Sequence, residues 1–158
     1  MTAPFRERLA ARIRETGSLL CAGIDPVAPS LPAGLSGAEG LRTFVVRLLA
    51  ALKPHVAAFK PNLAFFEAFG EAGRRVLGDI PALAAPVPVI LDAKLADIGN
   101  TSARYAEAFL GDGGFDGITV NPYLGSDSVG PFLEYRDKGI FLLCLTSNPG
   151  SADLQQQP

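Results

Sequence analysis

Apolar residues along this chain keep two rhythms in turn. Phe5, Leu9 and Ile13 recur every four residues and mark one face of a helix over Pro4–Glu15, with Thr2 as its cap and Pro4 in its first turn. Gly17 ends that helix. Ser18–Ile24 then reads as a first strand, stopping in Asp25-Pro26, and a loop rich in Pro and Gly runs to Leu35. Ser36-Gly37-Ala38-Glu39 has the S-x-x-E form of a capping box. Leu41, Phe44, Val45, Leu48, Leu49 and Leu52 give the helix after it an apolar face, and Lys53-Pro54 closes it. Val56–Phe59 is a second strand, ending in Lys60-Pro61-Asn62. A helical stretch from Leu63 to Leu83 follows, interrupted near Gly70 and Gly73. Val87–Leu91 is a third strand. Thr101 caps a helix through Leu110, with Tyr105 and Phe109 on its inner side, and Gly111-Asp112-Gly113-Gly114 turns the chain. Gly117–Val120 is a fourth strand, Ser128–Arg136 a short helix, and Ile140–Leu145 a fifth strand.

Strands that alternate with helices make an α/β fold with parallel strands. A polar residue stands where each strand stops: Asp25, Lys60, Asp92, Asn121 and Ser147. They recur roughly every 30 residues, the length of one βαβ unit. Functional groups at successive strand C-termini suit a (β/α)8 TIM barrel, which builds its site at that face. A doubly wound sheet would carry a glycine-rich loop after its first strand. Here that strand runs into Ile24-Asp25-Pro26. A closed barrel takes eight strands in about 250 residues. Residues 1–158 are therefore expected to form a single α/β-barrel domain of five strand–helix units, truncated at its C-terminus.

Charge and composition narrow the function. The net charge of −2 comes with scattered Lys and Arg, which excludes a nucleic-acid surface or a basic membrane face. The segment Met1–Arg8 has no signal-peptide core, so the expected location is the cytoplasm. Cys21 and Cys144 each sit inside an apolar run and read as small buried hydrophobes in a reducing compartment. His55 is the single histidine, at a helix-to-strand junction, and reads as structural. Without a Cys/His cluster no transition-metal site is expected. Asn62 and Asn121 fit turn capping as well as chemistry. Asp127 and Asp153 read as helix starts, and Arg42, Arg74 and Arg75 as solvated helix faces.

The chemistry concentrates where the third strand stops. Val89-Ile90-Leu91 is apolar on both faces, and Asp92, Lys94 and Asp97 follow within six residues. Charges there are costly unless paired or used. Asp92 and Lys94, two apart, project from one face. The pattern favours a catalytic ion-pair cluster over a structural salt bridge.

The segment Asp92-Ala93-Lys94-Leu95-Ala96-Asp97-Ile98-Gly99-Asn100-Thr101 resembles the D-x-K-x-x-D-I-x-x-T signature of the orotidine 5'-phosphate decarboxylase family. Gly17–Pro26 and Phe59–Glu67 resemble that family's first and second strands. Thr119–Asp127 and Leu145–Gly150 resemble its longer bacterial branch. The resemblance implies a homodimeric barrel with shared active sites that converts orotidine 5'-monophosphate to UMP and CO2 without a cofactor. It makes Lys94 the proton donor to C6, Asp92 the carboxylate beside the departing one, and Lys60 the bridge between Asp92 and the ribose. Asp97, with Ile98 and Thr101, would reach across the dimer interface. Asp25 would bind a ribose hydroxyl and Ser147 the pyrimidine. Leu95-Ala96 departs from the family's common Arg-Gly, and the phosphate-gripping Gly-Arg is expected beyond Pro158, so the chain alone should be inactive. Two other enzyme classes share parts of this pattern: a Mg²⁺-dependent sugar-phosphate synthase or decarboxylase of the same superfamily, and a lyase using Lys94 as a Schiff base. An inactive partial barrel is the non-enzymatic alternative.

Overall fold

The computed structural model describes residues 3–156. Five strands alternate with helices. In chain order they are α1 (Phe5–Thr16), β1 (Cys21–Ile24), α2 (Gly37–Leu52), β2 (Ala58–Pro61), α3 (Leu63–Glu67), α4 (Gly70–Ala84), β3 (Ile90–Leu95), α5 (Gly99–Ala106), β4 (Gly117–Val120), α6 (Ser126–Leu133) and β5 (Gly139–Leu142). Parallel ladders join β1 to β2, β3 to β4 and β4 to β5. Parallel bridges Phe59–Val89 and Asn62–Asp92 link the two groups, so the strands follow one another in sequence order. That is the wall of a (β/α)8 barrel over its first five units.

Strict alternation assigns each strand residue to a side. Ala22, Ile24, Phe59, Leu91, Ile118 and Val120 point outward and pack with Leu41, Val45, Leu49, Phe66, Ile80 and Phe132 of the helices in the main core. Their neighbours in sequence point inward. α1 lies against this inner side, where Phe5 and Leu9 cover Ala58 and Ile90. The Phe5 ring also meets Phe141 of β5 edge-on, with centroids 5.8 Å apart. Arg12 of α1, itself buried, donates to the carbonyls of Val56 and Lys53. Arg8 pairs with the buried Asp116, which also accepts the Val89 N–H at 2.9 Å.

Several local expectations shift. β1 begins at Cys21, where its ladder with β2 begins, rather than at Ser18, and Leu19 before it is 82% exposed. β2 and β3 run two to four residues further than their apolar runs, so Lys60, Asp92 and Lys94 lie inside strands. Ser36 precedes α2 but its side chain makes no capping bond, so the capping box does not form. Ile98, not Thr101, is the residue before α5, and a wider π-type turn over Glu107–Asp112 continues that helix. The break between α3 and α4 falls at Gly70 (φ +61°), while Gly73 lies within α4. Asp127 sits in the first turn of α6 as expected, whereas Asp153 ends a short 3₁₀ turn. Cys21 and Cys144 are both exposed. Cys21 is on the inner side, lining an open cavity with Leu9 and Ile13 of α1, and Cys144 follows the end of β5. The proposed Thr2 cap lies outside the described residues.

Candidate active site

Three neighbouring strands deliver the site. Lys60 comes from β2, Asp92 and Lys94 from β3, and Thr119 from β4, all on the inner side near the strand C-termini. The Asp92 carboxylate is buried to 8% exposure and bridges two ammonium groups. Lys60 Nζ donates to Oδ2 at 2.7 Å and Lys94 Nζ to Oδ1 at 2.5 Å. The Thr119 hydroxyl adds a third bond, to Oδ1 at 3.1 Å. Burial pushes the Asp92 carboxyl up. The hydrogen bonds from Lys60 and Lys94, the Lys60 charge and the Thr119 bond outweigh it and hold the group below the usual carboxylate range. Asp92 is thus an anion clamped between two cations. A lysine whose Nζ is engaged with a buried carboxylate is poorly placed to attack as a free amine, which disfavours the Schiff-base alternative.

A bulge aims Lys94. The β3–β4 register is regular at Leu91–Ile118 and resumes at Leu95–Val120, so four steps along β3 match two along β4. Asp92, Ala93 and Lys94 carry the surplus. Lys94 adopts φ +50°, the one positive φ of a non-glycine residue among the described residues. A left-handed lysine is strained by roughly 1–2 kcal/mol, and bulges of this kind re-aim side chains beside active sites. The freed N–H groups of Ala93 and Lys94 both donate to Thr119 Oγ1, each at 2.9 Å.

Among the described residues, none of the other predicted site residues hydrogen-bonds or ion-pairs with this cluster. Asp97 forms no ion pair among the described residues; its Oδ1 accepts the Ile98 N–H, and its carbonyl accepts the Ser102 hydroxyl. Ile98 is 59% exposed. Thr101 lies within α5, half-buried. Asp25, exposed, is just past β1, and by alternation from the Gly23–Lys60 pair it shares the side of Lys60. Ser147 is exposed beyond β5. Leu95 packs against the main core, and Ala96 keeps a negative φ. Asn62 and Asn121 cap the turns that follow them, their Oδ1 atoms accepting the N–H groups of Ala64 and Tyr123. Thr119 is the site residue that the pattern of charges misses. Its signal is the one hydroxyl in the strand Gly117-Ile118-Thr119-Val120, opposite the charged strand end.

Parallel strands wrapped by helices, with an anion–cation cluster at their C-termini, define part of a (β/α)8 barrel, a class that gathers its functional residues at this face. Within that class the chain belongs to the orotidine 5'-phosphate decarboxylase / HUMPS family, whose model matches residues 18–158. It is 48% identical over 152 residues to the orotidine 5'-phosphate decarboxylase of Roseiflexus sp. (strain RS-1), covering 96% of this chain and 56% of that protein. It is 47% identical to the enzyme of that name from Thermomicrobium roseum, covering 98% of this chain and 56% of the relative. Its fold matches the crystal structure of a putative orotidine-monophosphate decarboxylase from Toxoplasma gondii with a TM-score of 0.91 and 42% identity, over 99% of this chain and 53% of that one. The chain spans about half the length of the curated relatives it matches.

Proposed function

We propose that this chain supplies the first five strand–helix units of an orotidine 5'-phosphate decarboxylase that makes UMP for pyrimidine biosynthesis in the cytoplasm. The observation that carries this reading is the Lys60–Asp92–Lys94 cluster: one buried carboxylate between two ammonium groups at adjacent strand ends.

The reaction breaks the bond between C6 of the pyrimidine and its carboxylate. The electron pair stays on C6, CO2 leaves, and a proton must reach that carbon. Lys94 suits both needs. Its ammonium stabilises negative charge developing beside it, and it then gives up a proton to C6. Asp92 pairs with the Lys94 ammonium and aims it until then. Asp92 also lies next to the substrate carboxylate in this reading; their repulsion vanishes as CO2 departs, offset by binding energy from remote parts of the substrate. Lys60 links Asp92 to the ribose, and Asp25 and Ser147 take the ribose hydroxyl and the pyrimidine. Asp97, Ile98 and Thr101 serve the partner's site in a homodimer, a reading supported by the lack, among the described residues, of any hydrogen bond or ion pair from them to the charge cluster of their own chain. No cofactor is needed, because lysine supplies both the charge and the proton.

The test uses the full-length protein. It should release CO2 from orotidine 5'-monophosphate with EDTA present, and turnover that requires Mg²⁺ would point to the sugar-phosphate alternative. Lys94→Ala should remain folded and lose at least about a hundredfold in kcat, the lower end of what a positioned proton donor contributes. An active Lys94→Ala enzyme removes the role assigned here.

A further inference from the structure

We propose that Thr119 is a positioning residue for the decarboxylation, its hydroxyl holding the β3 bulge and the Asp92 carboxylate in the one arrangement that aims Lys94. This inference rests on the functional reading above and adds a residue that touches no substrate.

The argument starts from what a hydroxyl can do. It has one O–H to donate and two lone pairs to accept with. Thr119 Oγ1 uses all three. It accepts from Ala93 N and Lys94 N, each at 2.9 Å, and its remaining bond, at 3.1 Å, is the donation to Asp92 Oδ1. Since both lone pairs are occupied, the direction of that third bond is settled: the proton lies toward Asp92, which must be the acceptor. The arrangement is complete only with Asp92 ionised, in agreement with its depressed pKa.

The same three bonds explain how a strained lysine stays in place. The bulge breaks the ladder between Leu91 and Leu95, so the N–H groups of Ala93 and Lys94 have lost their strand partners. One side chain of β4 replaces both. β4 is a regular strand whose Ile118 and Val120 are fully buried in the core, so its inward Thr119 stands on a rigid base. Lys94 carries φ +50° with its side chain half exposed, and its ammonium is tied to Asp92. Without the hydroxyl, the backbone of Lys94 keeps the strain and loses its tether. The charged groups around Asp92 are Lys60 from β2 and Lys94 from β3. Cys21 on β1 feels the Lys60 charge, while burial pushes its thiol up.

Valine keeps the shape of threonine and removes the hydroxyl, and serine keeps the hydroxyl. In the full-length protein, Thr119→Val should lower kcat by roughly tenfold to a hundredfold, the usual consequence of misplacing a reacting group through its support. KM for orotidine 5'-monophosphate should change less than about threefold, since no substrate contact is lost. The acid limb of the kcat–pH profile should move to higher pH, because a carboxylate that loses a donor is easier to protonate. Thr119→Ser should restore both kcat and the acid limb. Unchanged kcat and pH profile in Thr119→Val, or a serine variant as slow as the valine one, would overturn the proposal.

Two measurements stand apart from turnover. In the wild-type protein, the amides of Ala93 and Lys94 should exchange more slowly than that of Asn100, and unprotected amides contradict the tether. The ¹³C-labelled Asp92 carboxyl should titrate at higher pH in Thr119→Val than in wild type, and an unmoved titration refutes the bond. If wild-type protein released no CO2, the functional reading would fail, while these two measurements would still decide the role of Thr119.

Discussion

Replacing Asp92 by asparagine keeps its volume and removes the charge that Lys60 and Lys94 share. Asp92 has a depressed pKa in the folded state, so its contribution to stability is present above the ordinary carboxylate range and lost as pH falls through the folded value. Asp92→Asn should therefore be less stable than wild type at pH 7, by on the order of 1 kcal/mol given that both lysines are partly solvated. The gap should begin to narrow as pH falls below about 4 and close only once pH has passed the lower folded value. Urea midpoints at neutral pH and below the folded value test this, and a gap of equal size at both would contradict it. At this scale the sequence made the charged residues legible, since Asp92 and Lys94 at a two-residue spacing share a face of an extended strand. It did not reveal Thr119, whose role exists only through a neighbouring strand, nor the exposure of Cys21 and Cys144. An apolar run says that a segment is buried somewhere, not which of its two faces is covered.

Among the elements, α3 and α4 join at a sharp corner. Gly70 takes a positive φ there, and Gly73 of α4 passes so close that an added Cβ would lie 1.8 Å from the Phe66 carbonyl oxygen. Gly78 in the same helix has nothing within 4 Å of such a Cβ. The two glycines should respond in opposite senses. Gly78→Ala should stabilise the protein by about 0.5–1 kcal/mol through helix propensity. Gly73→Ala should destabilise it by roughly 1–3 kcal/mol, because backbone must move to admit the methyl group. Thermal melts of the two variants compare them directly, and equal shifts would show that the corner is not tight. The sequence indicated an interruption near both glycines, but which one breaks the helix and which one packs depends on where Phe66 falls. The strands were found in order and nearly in place. Their ends moved because pairing with a parallel neighbour continues through Lys60-Pro61 in β2 and resumes at Leu95 beyond the β3 bulge, past the point where the apolar runs stop.

For the whole molecule, the lack of any bond between Asp97 and the Lys60–Asp92–Lys94 cluster among the described residues leads to a test of shared sites. If Asp97 acts in the partner's site, Lys94→Ala and Asp97→Ala each disable a different half of one composite site. Co-expressed, they should form heterodimers holding one intact site. Random pairing predicts a recovery of roughly a quarter of wild-type turnover for a two-fold symmetric dimer. A mixture no more active than the two variants measured separately would place Asp97 in its own subunit's site or outside the chemistry.

The alternation of strand and helix, the α/β class and the gathering of polar residues at strand ends were readable from the chain, because periodicity, glycine and proline act over a few residues. The tertiary structure decided the rest. It chose which side of the sheet α1 covers, placed the surplus residues of β3 into a bulge, and put Thr119 opposite it. These features depend on register between strands far apart in sequence, and register is set by the packing of both sheet faces together. The charges of Asp92 and Lys94 are local facts; that Lys60 and Thr119 complete their cluster follows only from strands that lie side by side.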